Sequence, residues 1–179
     1  LEYPGGPIIE KLAQNGNNVY SLPVVMANKE GCDLSFSGLK TAVRLLIQSQ
    51  GAIDDQKTAD ICASFQHAIG QTLKVRSQNA ITAFKLLLAS EGINFQDASF
   101  VFAGGVAANQ YLRTILVELA NVNGMPFVAS PVNLCTDNAA MIAWVGVERF
   151  QMGLFSELTI CPRARWNLTD SKPQVITKP

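Results

Sequence analysis

The sequence carries no excess of either charge: fourteen Lys and Arg balance fourteen Asp and Glu. No global field therefore draws it to nucleic acid, and a polyanion must be held by a local patch or by another chain. Histidine occurs once, at His67, which limits any metal or acid–base centre built from this chain in isolation. The four cysteines, Cys32, Cys62, Cys135 and Cys161, include no C-x-x-C pair. A zinc knuckle or dithiol motif is thus not indicated, and they read as free thiols of a cytoplasmic protein. No apolar run approaches the ~18 residues of a spanning helix, so no membrane association is expected. There is no internal repeat and no low-complexity tract. The opening Leu1-Glu2-Tyr3-Pro4-Gly5-Gly6 has neither an initiator Met nor a signal-peptide layout, and it reads as a piece of something longer.

What the sequence does have is apolar mass, 48% hydrophobic against 16% charged residues, enough for a real core. The stretch that organises the rest is Ser99-Phe100-Val101-Phe102-Ala103-Gly104-Gly105-Val106-Ala107-Ala108-Asn109. Phe100 to Phe102 predicts a buried strand, since a short apolar run bounded by Gly suits a two-sided parallel sheet. Gly104 and Gly105 permit a sharp turn and a close approach by a ligand. Val106 to Leu119 predicts a helix with Leu112, Ile115, Leu116 and Leu119 on one face. Its free N–H groups would face the glycine turn and suit an anion or a nucleotide. A purely structural corner has the same appearance.

Elsewhere, Pro7 to Ala13 predicts a short helix stopped near Gly16. Tyr20 to Val25 reads as an edge strand and Asp33 to Ser37 as a half-buried strand, with Ser37 capping a helix that ends at Gly51. Asp54-Asp55 mark the start of a long helix reaching Ser90, with His67 on the flank of its apolar stripe and Glu91-Gly92 closing it. Pro126 to Ala129 predicts another strand. A loop then leads to a final helix capped by Thr136 or Asp137. This β-α-α-β-α-β-α order implies an α/β domain on a mostly parallel sheet.

Four motifs stand out in order: Tyr3-Pro4-Gly5-Gly6-Pro7, Asp33-Leu34-Ser35-Phe36-Ser37-Gly38-Leu39-Lys40-Thr41, Ala103-Gly104-Gly105-Val106-Ala107-Ala108-Asn109 and Cys135-Thr136-Asp137-Asn138-Ala139-Ala140-Met141-Ile142-Ala143. Together they resemble the bacterial TsaD family, the tRNA threonylcarbamoyladenosine transferases, in the sugar kinase–Hsp70–actin (ASKHA) superfamily. The resemblance covers nearly the whole chain and matches that enzyme's C-terminal half. It implies an ASKHA-type α/β fold with a mixed sheet flanked by helices over residues 1–152, a helical insert at about 37–92, and an irregular tail over 153–179. It implies transfer of threonylcarbamoyl from threonylcarbamoyl-AMP to N6 of the adenosine 3′ of the tRNA anticodon. The implied partners are the N-terminal half of the same protein, tRNA, and TsaB-like and TsaE-like proteins.

By the same resemblance Gly6, Glu10, Gly104, Gly105 and Asn109 bind the substrate adenylate. Asp137 supplies one ligand to a divalent metal ion, iron or zinc-like, completed by two histidines of a His-x-x-x-His motif that this chain lacks. No catalytic side chain is assigned. Glu10 stands where many relatives carry Asp, so its carboxylate, carried over as a ribose contact, is displaced by a methylene. Each assignment has a plainer counterpart: helix capping for Asn109 and Asp137, and a structural imidazole for His67. Lys40, Arg44, Arg163 and Arg165 form either a local basic surface for tRNA or simply solvated charge. The alternative function is a non-catalytic nucleotide-binding or scaffold module. An old metallopeptidase label for the family finds no His-Glu-x-x-His here.

Overall fold

The structure, a computed structural model, describes residues 3–95, 98–162 and 164. Its elements run α1 (Gly5–Ala13), α2 (Leu39–Ser49), α3 (Asp55–Ser90), β1 (Phe100–Phe102), α4 (Gln110–Val122), β2 (Phe127–Ala129) and α5 (Ala139–Gln151). Single 3₁₀ turns cover Gly105–Ala108 and Val132–Leu134. The chain divides into two compact units, Leu1–Thr136 and Asp137–Pro179. Among the described residues no helix is long and apolar enough to cross a membrane.

In the first unit β1 and β2 pair in parallel, Phe100 beside Phe127, Val101 beside Val128 and Phe102 beside Ala129. This is the α/β arrangement expected, with the strands where the apolar runs predicted them. One face of the ribbon carries Phe100 and Phe127, whose stacked rings lie 6.0 Å apart. That face closes over a core of Leu73 and Ile81 from α3, Leu112, Leu116, Leu119 and Ala120 from α4, and Met125. Gly70 lets the two helices approach, because a Cβ there would lie 2.5 Å from Ile115 Cδ1. Gly16 does the same beside α3, where a Cβ would sit 2.0 Å from the Ala59 carbonyl oxygen.

Two expected strands do not form, and the sheet described is parallel rather than mixed. The cause is α3. Tyr20 and Val25 donate their backbone N–H groups to Ser64 Oγ and Thr72 Oγ1, each at 3.1 Å, so the 20–25 segment is pinned along the helix instead of joining a ladder. The chain around Asp33 is held by Arg76, a 1%-exposed guanidinium that donates to the carbonyls of Met26, Lys29, Glu30, Gly31 and Asp33. These are neutral acceptors, and together they satisfy a buried cation that would otherwise be costly.

The helix starts differ from expectation by one or a few residues. α2 begins after Gly38, in the left-handed region at φ 85°, with no side-chain cap from Ser37. The expected helix from Val106 is interrupted: Gly105–Ala108 is a 3₁₀ turn and Asn109 is extended, so α4 starts at Gln110. α5 is capped by Asn138, not Thr136 or Asp137. α3 starts where Asp54-Asp55 mark it, and the Asp54 carboxylate also caps it by accepting the Lys57 N–H at 2.8 Å. Arg163 and Arg165 lie outside the described residues, which leaves Lys40 and Arg44, both exposed on α2, as the described part of the expected basic surface.

Candidate functional site

The glycine corner after β1 is built as the sequence suggests up to a point. Gly104 sits at φ 87°, ψ 177°, a conformation that side chains rarely adopt. Gly105 is different. Its φ is not positive, and a Cβ there would meet no heavy atom within 4 Å; the same holds at Gly6 in the first turn of α1. Neither packing within this chain nor backbone strain requires glycine at these two positions.

Asn109 caps α4. Its Oδ1 accepts the Leu112 N–H at 2.9 Å, and its Nδ2 donates to Gln66 Oε1 on α3, also at 2.9 Å. One amide hydrogen and one lone pair of Asn109 are thereby committed, which leaves one of each for anything outside the chain. The next N–H, that of Gln110, is taken by Glu10 Oε1 at 2.7 Å, across 100 residues of sequence. The positive start of α4, expected to be open to a ligand anion, is filled by the protein's own carboxylate. Glu10 also lines a cavity of about 260 Å³ with Gln14, Gln66, Gln110, Tyr111 and Thr114. Glu10 and Asn109 therefore meet at one helix start, and Gly6 lies one turn before Glu10 on α1.

His67 has a structural partner, Tyr111 Oη at 2.9 Å from its Nδ1. Burial, with the Glu118 charge adding to it, pushes the Tyr111 phenol above its ordinary range. Burial likewise raises the Cys62 thiol. Asp137, exposed, opens the second unit. Because Asn138 accepts the Met141 N–H at 3.1 Å, the cap is supplied without the Asp137 carboxylate. Among the described residues no group of three or more His, Cys, Asp or Glu could hold a metal ion. The donors among the described residues do not by themselves fit a metal centre; Asp137 is a single carboxylate.

Two residues at the corner were not foreseen. Gln66 is 8% exposed on the buried stripe of α3, and a polar residue among Cys62, Ile69 and Leu73 was the available signal. Arg113 donates to Ala107 O, Ser130 O and Cys135 Sγ, the last at 3.1 Å; nothing in its local sequence marks it.

Residues 1–144 match the sequence profile of TsaD, described as tRNA N6-adenosine threonylcarbamoyltransferase. The chain belongs to the TsaD family. All four motifs quoted above fall inside the matched span. Proteins named tRNA N6-adenosine threonylcarbamoyltransferase from Orientia tsutsugamushi (strain Boryong), Rickettsia massiliae (strain Mtu5) and Rhizobium etli (strain CIAT 652) are 53%, 48% and 46% identical to it. These alignments cover 95%, 95% and 98% of this chain and 49%, 48% and 48% of the respective relatives. The chain thus spans about half the length of the curated TsaD relatives it matches.

Proposed function

We propose that this chain is the C-terminal part of a cytoplasmic tRNA N6-adenosine threonylcarbamoyltransferase of ASKHA type, its α/β domain running over 1–152 with a helical insert at about 37–92. What carries the reading is 53% identity over 95% of the chain to a relative of that name. In this reading N6 of the adenosine attacks the carbamoyl carbon of threonylcarbamoyl-AMP, the bond to the phosphate oxygen breaks, AMP leaves, and N6 loses a proton. The mixed anhydride is already activated, so the protein mainly positions the reactants and stabilises charge.

This half supplies one wall of the cleft. Gly104 and Gly105 lie against the nucleotide, and Gly6, Glu10 and Asn109 hold the adenylate. Asp137 offers one ligand to a divalent ion, the other two coming from histidines of the remaining half. TsaB-like and TsaE-like proteins and tRNA complete the partners. The glycines support the site directly: Gly6 and Gly105 have room for a side chain and no backbone need to be glycine, which is what close approach from outside the chain would leave behind.

Gly105 provides the test. In the full-length protein Gly105→Ala should keep its thermal stability, while AMP affinity measured by calorimetry falls about tenfold, equivalent to ~1.4 kcal/mol. Unchanged AMP affinity would remove the nucleotide from this corner.

A further inference from the structure

β1 and β2 are adjacent parallel strands ending in register at Phe102 and Ala129, so the loops leaving them start side by side. The sheet fixes the roots of those loops; their far ends need another tie. Arg113 provides it. Its Nε–H donates to the carbonyl of Ala107, which is fully buried in the turn after Gly105, and its Nη2 donates to the carbonyl of Ser130 and to Cys135 Sγ. Cys135 in turn lies 3.4 Å from the Pro131 carbonyl oxygen, which closes its own loop. The Arg113 backbone N–H bonds the Asn109 carbonyl at 3.1 Å, so the same residue is anchored one turn after the cap. In sequence, Asn109 follows Ala107 by two residues and Asp137 follows Cys135 by two.

We infer that Arg113 is a positioning residue that sets the spacing between the glycine corner and the 130–135 loop after β2. It does so without touching substrate. The inference rests on the reading of those two segments as the ligand-binding wall. The guanidinium suits the task because it is a rigid planar fork that reaches both loops at once. A lysine places its three donors on a single nitrogen at the end of a flexible stem and lacks the spread, fixed fork that reaches both loops.

The experiment uses the full-length protein with AMP as the probe, and compares Arg113→Lys and Arg113→Ala with Asn109→Ala and Gly105→Ala. Arg113→Lys retains the charge and is the variant expected to stay folded. Its AMP Kd and its KM for threonylcarbamoyl-AMP should rise about tenfold to a hundredfold, the scale of effect of misplacing a binding group. Its melting temperature should remain near wild type. If Asn109→Ala and Gly105→Ala weaken AMP binding while Arg113→Lys binds as wild type and Arg113→Ala loses only thermal stability, the positioning role is overturned and the residue is a structural brace. If none of the four affects AMP binding, the reading of the wall fails and the inference falls with it.

Discussion

α4 and α5 form a matched pair. Each has 13 residues, each follows a loop containing a 3₁₀ turn, and each is capped by an asparagine that accepts the N–H three residues on. α4 buries Leu112, Leu116, Leu119 and Ala120. α5 buries nothing, although residues 139–147 are all apolar or Gly and include Ile142 and Trp144 at 67% and 66% exposure. A helix that is apolar all round is ordinarily buried. The two helices share length and capping, and what separates them is burial. α4 has α3 and the sheet. α5 has no buried residue.

The sharpest way to break the comparison is to truncate one large apolar residue on each helix. Leu116→Ala should cost about 3–5 kcal/mol in urea unfolding of this chain, as for other fully buried leucines. Ile142→Ala should stay within about 0.5 kcal/mol, as exposed positions do, and acquire a cost of about 1 kcal/mol or more in the full-length protein. Equal costs in the short chain would erase the distinction.

The caps come next. Asn138→Ala should cost about 1 kcal/mol, the usual value for a lost N-cap. Asn109→Ala should cost about 2 kcal/mol, because it also strips the buried Gln66 of its partner. Matching losses in the same unfolding experiment would mean that the bond to Gln66 contributes nothing.

Mid-helix glycines give a smaller contrast, and one of opposite sign. Gly146→Ala, with nothing within 4 Å of the new Cβ, should stabilise by up to about 1 kcal/mol through helix propensity. Gly70→Ala forces Ile115 aside and presses on Tyr111, and overpacking there should outweigh the propensity gain by about 1 kcal/mol. Melting temperatures moving the same way for both would contradict the close α3–α4 contact.

The smallest effect concerns Tyr111. Its folded pKa is raised, chiefly by burial, so its neutral form is favoured in the fold. That contribution is complete below the unfolded value near 10 and is lost as pH rises through the folded value. Tyr111→Phe should flatten this alkaline loss while costing about 1 kcal/mol at neutral pH for the bond to His67. An unchanged stability profile above pH ~10 would show that the phenol does not titrate with unfolding.

Both strands, the long α3 with its acidic start at Asp54-Asp55, and the Gly104 turn were legible because each depends on neighbours in sequence. The two expected strands at 20–25 and 33–37 were not, since Ser64, Thr72 and Arg76 capture their backbone groups from a helix more than 40 residues away. The break at Asn109 was hidden inside an uninterrupted helical pattern. Thr136, Asp137 and Asn138 are all competent caps, and sequence does not rank them. In the candidate site the glycines and Asn109 could be read from motifs. The Glu10 bond to Gln110 and the Arg113 tie could not, because they are made only once the chain has folded.

The most direct test measures threonylcarbamoyl transfer to tRNA by the 179-residue chain and by the full-length protein side by side, with TsaB-like and TsaE-like proteins supplied to both. The account predicts modified adenosine from the full-length protein and none from the shorter chain. Product formed by the 179-residue chain alone would contradict it.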